Sequence, residues 1–178
     1  KPKVTPFVPK PHQKNAITLA HKHFVKENNS RGKLIFPCGS GKSLTGFWMM
    51  EKLKANSTVV AVPSLSLVKQ TLEVYLKQVV AKNKNVKWLC ICSDEGIGKS
   101  DDVVTYTRDL PVPCTTDPDY IKKWLKDNKN DNIIIFTTYQ SGRLIAEASK
   151  SLKFTFDLGI YDEAHKTVGK NENLFSYL

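Results

Sequence analysis

Five short runs of apolar, largely β-branched residues constrain this chain most: KLIF (33–36), TVVAV (58–62), VKWLCIC (86–92), NIIIFTT (132–138) and FDLGIY (156–161). Each is nearly continuous in apolar character, the pattern of a strand buried on both faces. A segment with helical spacing, HQKNAITLAHKHFVKE, precedes the first run. KSLTGFWMMEKLK, LSLVKQTLEVYLKQVV, DPDYIKKWLKDN and SGRLIAEASK follow the first four in turn. This alternation predicts an α/β fold, a mostly parallel central sheet with helices on both faces. Asp117 is placed to cap the helix that Pro118 opens. Residues 94–116, rich in Asp, Thr and Pro, read as a surface excursion.

A chain of 178 residues supports one domain with a full core. The proline-punctuated start, residues 1–10, reads as an extended linker, which assigns the domain to residues 11–178. The closing NLFSYL reads as part of a helix cut short. No apolar run reaches the length of a membrane span, and the start lacks a signal peptide's apolar segment. The net charge of +10, carried almost entirely by lysine, suits a polyanionic partner such as nucleic acid. A lysine-rich composition that merely solvates the surface would give the same total. Cys38, Cys90, Cys92 and Cys114 form no paired C-x-x-C spacing. Cys90 and Cys92 share one strand face as core thiols, and a reducing, intracellular compartment is expected.

Two stretches look like phosphate loops. Such a loop needs glycines that let backbone N–H groups turn inward, a lysine for positive charge, and a helix offering its positive N-terminal end. FPCGSGKS (36–43) leaves a strand and enters a helix in which Leu44, Phe47, Trp48 and Leu53 recur at helical spacing. SDEGIGKS (93–100) also leaves a strand, but Asp94, Glu95, Asp101 and Asp102 flank it. Four carboxylates would repel a triphosphate by on the order of several kcal/mol. The first loop is the binder. Phe36 stands where the strict G-x-x-x-x-G-K-[ST] pattern has glycine, so a second element is needed. YDEAH (161–165) provides it, placing Asp162 and Glu163 at the C-terminal end of the last strand. In a parallel sheet that is the edge where phosphate loops sit.

FPCGSGKS with YDEAH resembles motifs I and II of superfamily-2 helicases and translocases. PHQKNAI (11–17) resembles their adenine-reading segment, VPSLSLVKQT (62–71) their motif Ia, and FTTYQS (136–141) a later nucleic-acid-contacting motif of the first RecA-like domain. The matches run in the family's order over nearly the whole chain. Within the superfamily the spelling is most similar to restriction-type DNA translocases and to predicted helicases of phages and large viruses.

The resemblance implies a three-layer RecA-like P-loop domain that binds ATP and Mg²⁺. Lys42 would reach the β- and γ-phosphates while the backbone of Gly39, Ser40, Gly41, Lys42 and Ser43 cradles them. Ser43 and Asp162 would hold magnesium, and Glu163 would position the attacking water. Gln13 would read the adenine edge, with Phe7 a candidate to stack on the base, and His165 would couple the nucleotide site to the nucleic-acid motifs. Ser64, Gln70, Thr138, Tyr139 and Gln140 would contact phosphate and sugar, with Lys69 and Arg143 adding charge. DNA is favoured over RNA. An RNA helicase and a nucleotide-gated scaffold with decayed motor activity are the other readings. Superfamily-2 motors close a second RecA-like domain, which brings arginine fingers, over the nucleotide. No such segment lies within 1–178, so this stretch alone is expected to hydrolyse ATP barely at all, missing fingers costing about 10³–10⁵ in turnover.

Overall fold

The structure, a computed structural model, describes residues 4–37, 39–93 and 106–162. These divide between two compact units, 1–55 with 73–84, and 56–72 with 85–178, and each is described by itself.

The second unit carries the sheet. Its strands are β1 (Ser57–Val62), β2 (Lys87–Ile91), β3 (Cys114–Thr115), β4 (Ile133–Thr138) and β5 (Leu158–Tyr161), in the order β3-β2-β4-β1-β5. All four pairings are parallel, with Val59 opposite Ile135 and Gly159, and Leu89 opposite Ile135. Every residue of β1 and β4 is buried, in keeping with their nearly continuous apolar spelling. On one face Val59, Leu89, Ile91, Ile133 and Ile135 pack against Ile121 and Leu125 of α4 (Pro118–Asp127) and Ile145 and Ala148 of α5 (Gly142–Leu152). Residues of the other face, Val60, Cys90, Ile134 and Phe136, are also buried, and Trp88 stacks on Phe136. Burial, with Cys114 adjacent, pushes the Cys90 thiol far above its ordinary range, so it is an inert core group.

Short polar ties set the strand starts. The Asp157 carboxylate accepts from the backbone N–H groups of Asn56 (2.8 Å) and Ser57 (2.9 Å), fixing the β1–β5 register from one end. Asp117 caps α4 as expected, its carboxylate accepting from the N–H groups of Asp119 and Tyr120.

The first unit holds α1 (Pro11–His21), the π-helical turn Lys22–Lys26, α2 (Lys42–Leu53) and the last turns of α3 (Leu65–Ala81). Phe47 meets Tyr75 edge-on at 5.1 Å, both fully buried. Above them Glu51 pairs with Lys82 and Lys84.

Two elements differ from the sequence reading. KLIF (33–36) is not a strand: residues 31–37 have no regular structure, and Ile35 is 80% exposed. A strand exists through its ladder, and the sheet ends at β3 and β5 among the described residues, so this apolar run pairs with nothing described. Conversely, β3 lies inside the stretch read as an excursion. Two residues are too few to show periodicity, and β3 is defined by its pairing with β2.

Replacing Asp157 by Ala strands two backbone donors, one of them on buried Ser57, and should cost about 1–3 kcal/mol. Urea unfolding followed by circular dichroism measures this; an unchanged midpoint would remove the carboxylate from the account of β1–β5 register.

Candidate nucleotide and nucleic-acid site

The loop at residues 37–41 is shaped by two left-handed glycines, Gly39 (φ 73°) and Gly41 (φ 82°). L-residues with a side chain disfavour that region by roughly 1–2 kcal/mol each. Between them, the Ser40 hydroxyl donates to the Pro37 carbonyl at 2.7 Å, closing the turn. Gly41 hands the chain to α2, where Thr45 returns both its N–H and its hydroxyl to the Gly41 carbonyl at 3.0 Å. A Cβ built on Gly39 meets nothing within 4 Å, so space lies open there. Open space beside the amino end of a helix, with half-buried Lys42 and Ser43 opening that helix, suits a phosphate.

The loop's carbonyls are held from α1. Gln13 is buried, accepts from the Lys10 N–H at 2.8 Å, and donates to the carbonyls of Ser40 (3.1 Å) and Gly41 (3.2 Å). His12 Nε2 donates to the same Ser40 carbonyl at 3.2 Å, its ring edge-on to Phe36. Gln13 thus spends both amide hydrogens on the loop, leaving one oxygen lone pair. Its clamping role is invisible in sequence, because the partners lie 27 and 28 positions away. Phe7 is exposed.

In the second unit, the parallel strands deliver their C-terminal ends to one edge. Asp162 follows β5, its N–H donating to the Ala61 carbonyl of β1. Tyr139 follows β4, donating its N–H to the Val62 carbonyl and its hydroxyl to the Asp162 carbonyl at 2.5 Å. Tyr139 and Thr138 are buried, the Thr138 hydroxyl meeting that of Ser141. Ser64, just past β1, takes the N–H of Leu67 on its hydroxyl and that of Val68 on its carbonyl, starting α3. Gln70 and Gln140 are exposed. Arg143 is exposed and pairs with Glu147 at 3.4 Å. This edge therefore gathers Ser64, Thr138, Tyr139, Gln140 and Asp162. Glu163, His165, Cys38 and the rejected loop at 96–100 lie outside the described residues.

The family model described as "Type III restriction enzyme, res subunit" matches residues 6–177. The chain is 26% identical over 162 residues to the probable helicase A859L of African swine fever virus, isolate Tick/Malawi/Lil 20-1/1983. Its counterpart from isolate Tick/South Africa/Pretoriuskop Pr4/1996 is 28% identical over 161 residues. The matches cover 90% of this chain but only 16% of the viral proteins, so the chain spans about a sixth of their length. Among solved structures it is similar to a nuclease-deletion mutant of the Type ISP restriction-modification enzyme LlaGI in complex with a DNA substrate mimic, at a TM-score of 0.70 and 28% identity. It is likewise similar to the ATP-dependent Type ISP enzyme LlaBIII bound to DNA, at 0.75 and 28%. Each likeness covers 94% of this chain, and 16% and 11% of those chains respectively.

The geometry separates the two loop glycines. Gly39→Ala should suffer backbone strain alone, on the order of a tenfold loss in nucleotide affinity. Gly41→Ala adds a Cβ 2.5 Å from Gln13 Nε2 and should lose clearly more. Titration with a fluorescent adenine nucleotide distinguishes them; equal losses would contradict the Gln13 clamp.

Proposed function

Because the chain belongs to the family of the Type III restriction enzyme res subunit and is the first RecA-like domain of a superfamily-2 helicase, we propose that it forms the ATP-binding half of a DNA helicase or translocase. The carrying observation is the pair of left-handed glycines that frees the loop beside the start of α2, its carbonyls clamped from behind by Gln13. In this reading Lys42 supplies positive charge to the β- and γ-phosphates, and backbone N–H groups of residues 39–43 cradle them. Ser43 and Asp162 hold magnesium, which when bound neutralises part of the triphosphate's charge. Glu163 positions and polarises the attacking water. Gln13 offers its remaining oxygen lone pair to the adenine amino group, so one side chain senses the base and braces the loop. His165 connects the site to the nucleic-acid motifs.

Ser64, Gln70 and Gln140 face the backbone of the nucleic acid, while buried Thr138 and Tyr139 hold the main chain that presents them. The DNA named for the two restriction enzymes supports DNA over RNA as the track. The working motor needs a second RecA-like domain closing over the nucleotide. No helix of the described residues is long and apolar enough to cross a membrane. We assign an intracellular site of action, supported by the likeness to viral helicases and restriction-modification enzymes.

Glu163→Gln in the full-length protein should lower DNA-stimulated ATP turnover by about 10²–10⁴ while leaving nucleotide affinity intact. Steady-state turnover and equilibrium binding on the same preparation check this. Turnover within a few-fold of the parent would favour a scaffold over a motor.

A further inference from the structure

The chain's positive charge is concentrated on one helix and its return loop, mostly outside the stretches that resemble helicase motifs. Residues 10–33 hold Lys10, Lys14, Lys22, Lys26, Arg31 and Lys33 against one carboxylate, Glu27, for a net +5. The 145 residues after them carry only +3. Uniform lysine enrichment would have spread the charge. Instead, half of the chain's +10 sits on one helix and its return loop.

Local structure gathers these groups. Lys14, Lys22 and Lys26 are exposed and spaced at multiples of four along α1 and the π turn. Along an α-helix, residues four apart overshoot a full turn and drift around the axis. The wider i→i+5 turn at Lys22–Lys26 reverses that drift, keeping Lys26 near the line of Lys14 and Lys22. Asn28 then adopts the left-handed conformation (φ 55°) and the chain doubles back. His23 Nε2 donates to the Arg31 carbonyl at 2.6 Å, and the Asn29 side chain donates to His23 Nδ1 at 3.2 Å. Gly32 lies so close that a Cβ there would come within 2.9 Å of the Phe24 ring. These ties hold exposed Arg31 and Lys33 beside the end of the lysine line. Glu27 is occupied by Lys22 (3.5 Å) and by the Asn29 amide (3.3 Å).

We propose that this face, Lys14, Lys22, Lys26, Arg31 and Lys33, is a second docking surface for the sugar–phosphate backbone of duplex DNA, separate from the motif residues at the sheet edge. It rests on the reading of the chain as part of a DNA motor. Charge complementarity selects the partner class, and length selects the duplex. Lys14 and Lys26 are roughly 18 Å apart along the axis, at about 1.5 Å per residue. That exceeds the roughly 12 Å width of the major groove, so the two ends reach both flanking backbones. A single strand has no second backbone to meet. Clamped through Gln13 to the phosphate loop, α1 is a braced platform rather than a loose tail. Contacts of this kind carry no sequence information and grip duplex independently of base identity.

The test is a salt titration of duplex DNA binding by the full-length protein without nucleotide, between about 50 and 200 mM. A Lys22→Gln, Lys26→Gln, Arg31→Gln variant, all outside the adenine-reading segment, should flatten the slope of log affinity against log salt by about three. Exposed Lys123, Lys126 and Lys129, interspersed with Asp119, Asp127 and Asp131, supply the control; their Gln variants should leave the slope nearly unchanged. Equal flattening in both variants would overturn the proposal, as would an unchanged slope, or a single strand weakened as much as the duplex. Loss of binding to anionic phospholipid vesicles with duplex binding intact would reassign the face to a membrane. Basal ATP turnover of the stripe variant should match the parent; a parent without ATPase would sink the motor reading while leaving the slope comparison readable.

Discussion

A loop that turns its N–H groups towards a ligand must send carbonyls the other way, and those carbonyls need donors. In this chain one amide side chain serves two of them, beside His12 on the Ser40 carbonyl and Thr45 on the Gly41 carbonyl. Gln13, buried at the start of α1, holds the carbonyls of Ser40 and Gly41 while its own oxygen is fixed by the Lys10 N–H. The left-handed glycines make the turn sterically possible, and Gln13 makes it determinate. Without that clamp the loop's backbone would have several comparable conformations, and a nucleotide would have to select among them at a cost in affinity.

The sheet edge follows a parallel logic. Uniformly parallel pairing sends every strand's C-terminal end to one side, so polar residues far apart in sequence arrive together without loop design. The Tyr139 hydroxyl on the Asp162 carbonyl ties the end of β4 to the end of β5, with β1 between them in the sheet. In the proposed motor this bond joins a nucleic-acid motif to the magnesium-holding strand tip. A shift on either side reaches the other through this part-buried contact.

Much of this was legible in the sequence where the physics is local. The Asp117 cap lies one residue before its helix, and four of five apolar runs became strands close to where their spelling placed them. KLIF failed because a ladder is a relation between segments, and apolar spelling carries no information about which neighbour is present. β3 escaped notice because two residues have no period. Tyr139 sits in a stretch that looks like a polar loop, yet it is buried; the turn after a buried strand folds inward, which composition does not reveal. Gln13 was marked through family resemblance for its reach to adenine. Its grip on the loop is a long-range contact visible only in three dimensions.

The functional account stands on the loop and the acidic strand tip serving a single magnesium–nucleotide. A double-mutant cycle on Ser43→Ala and Asp162→Asn in the full-length protein, reading ATP affinity with and without magnesium, tests this most directly. Two groups on one ion should show a coupling of about 0.5–3 kcal/mol that disappears when magnesium is withheld. Additivity within about 0.5 kcal/mol in magnesium would mean that the two residues act on separate sites, and the account would fail.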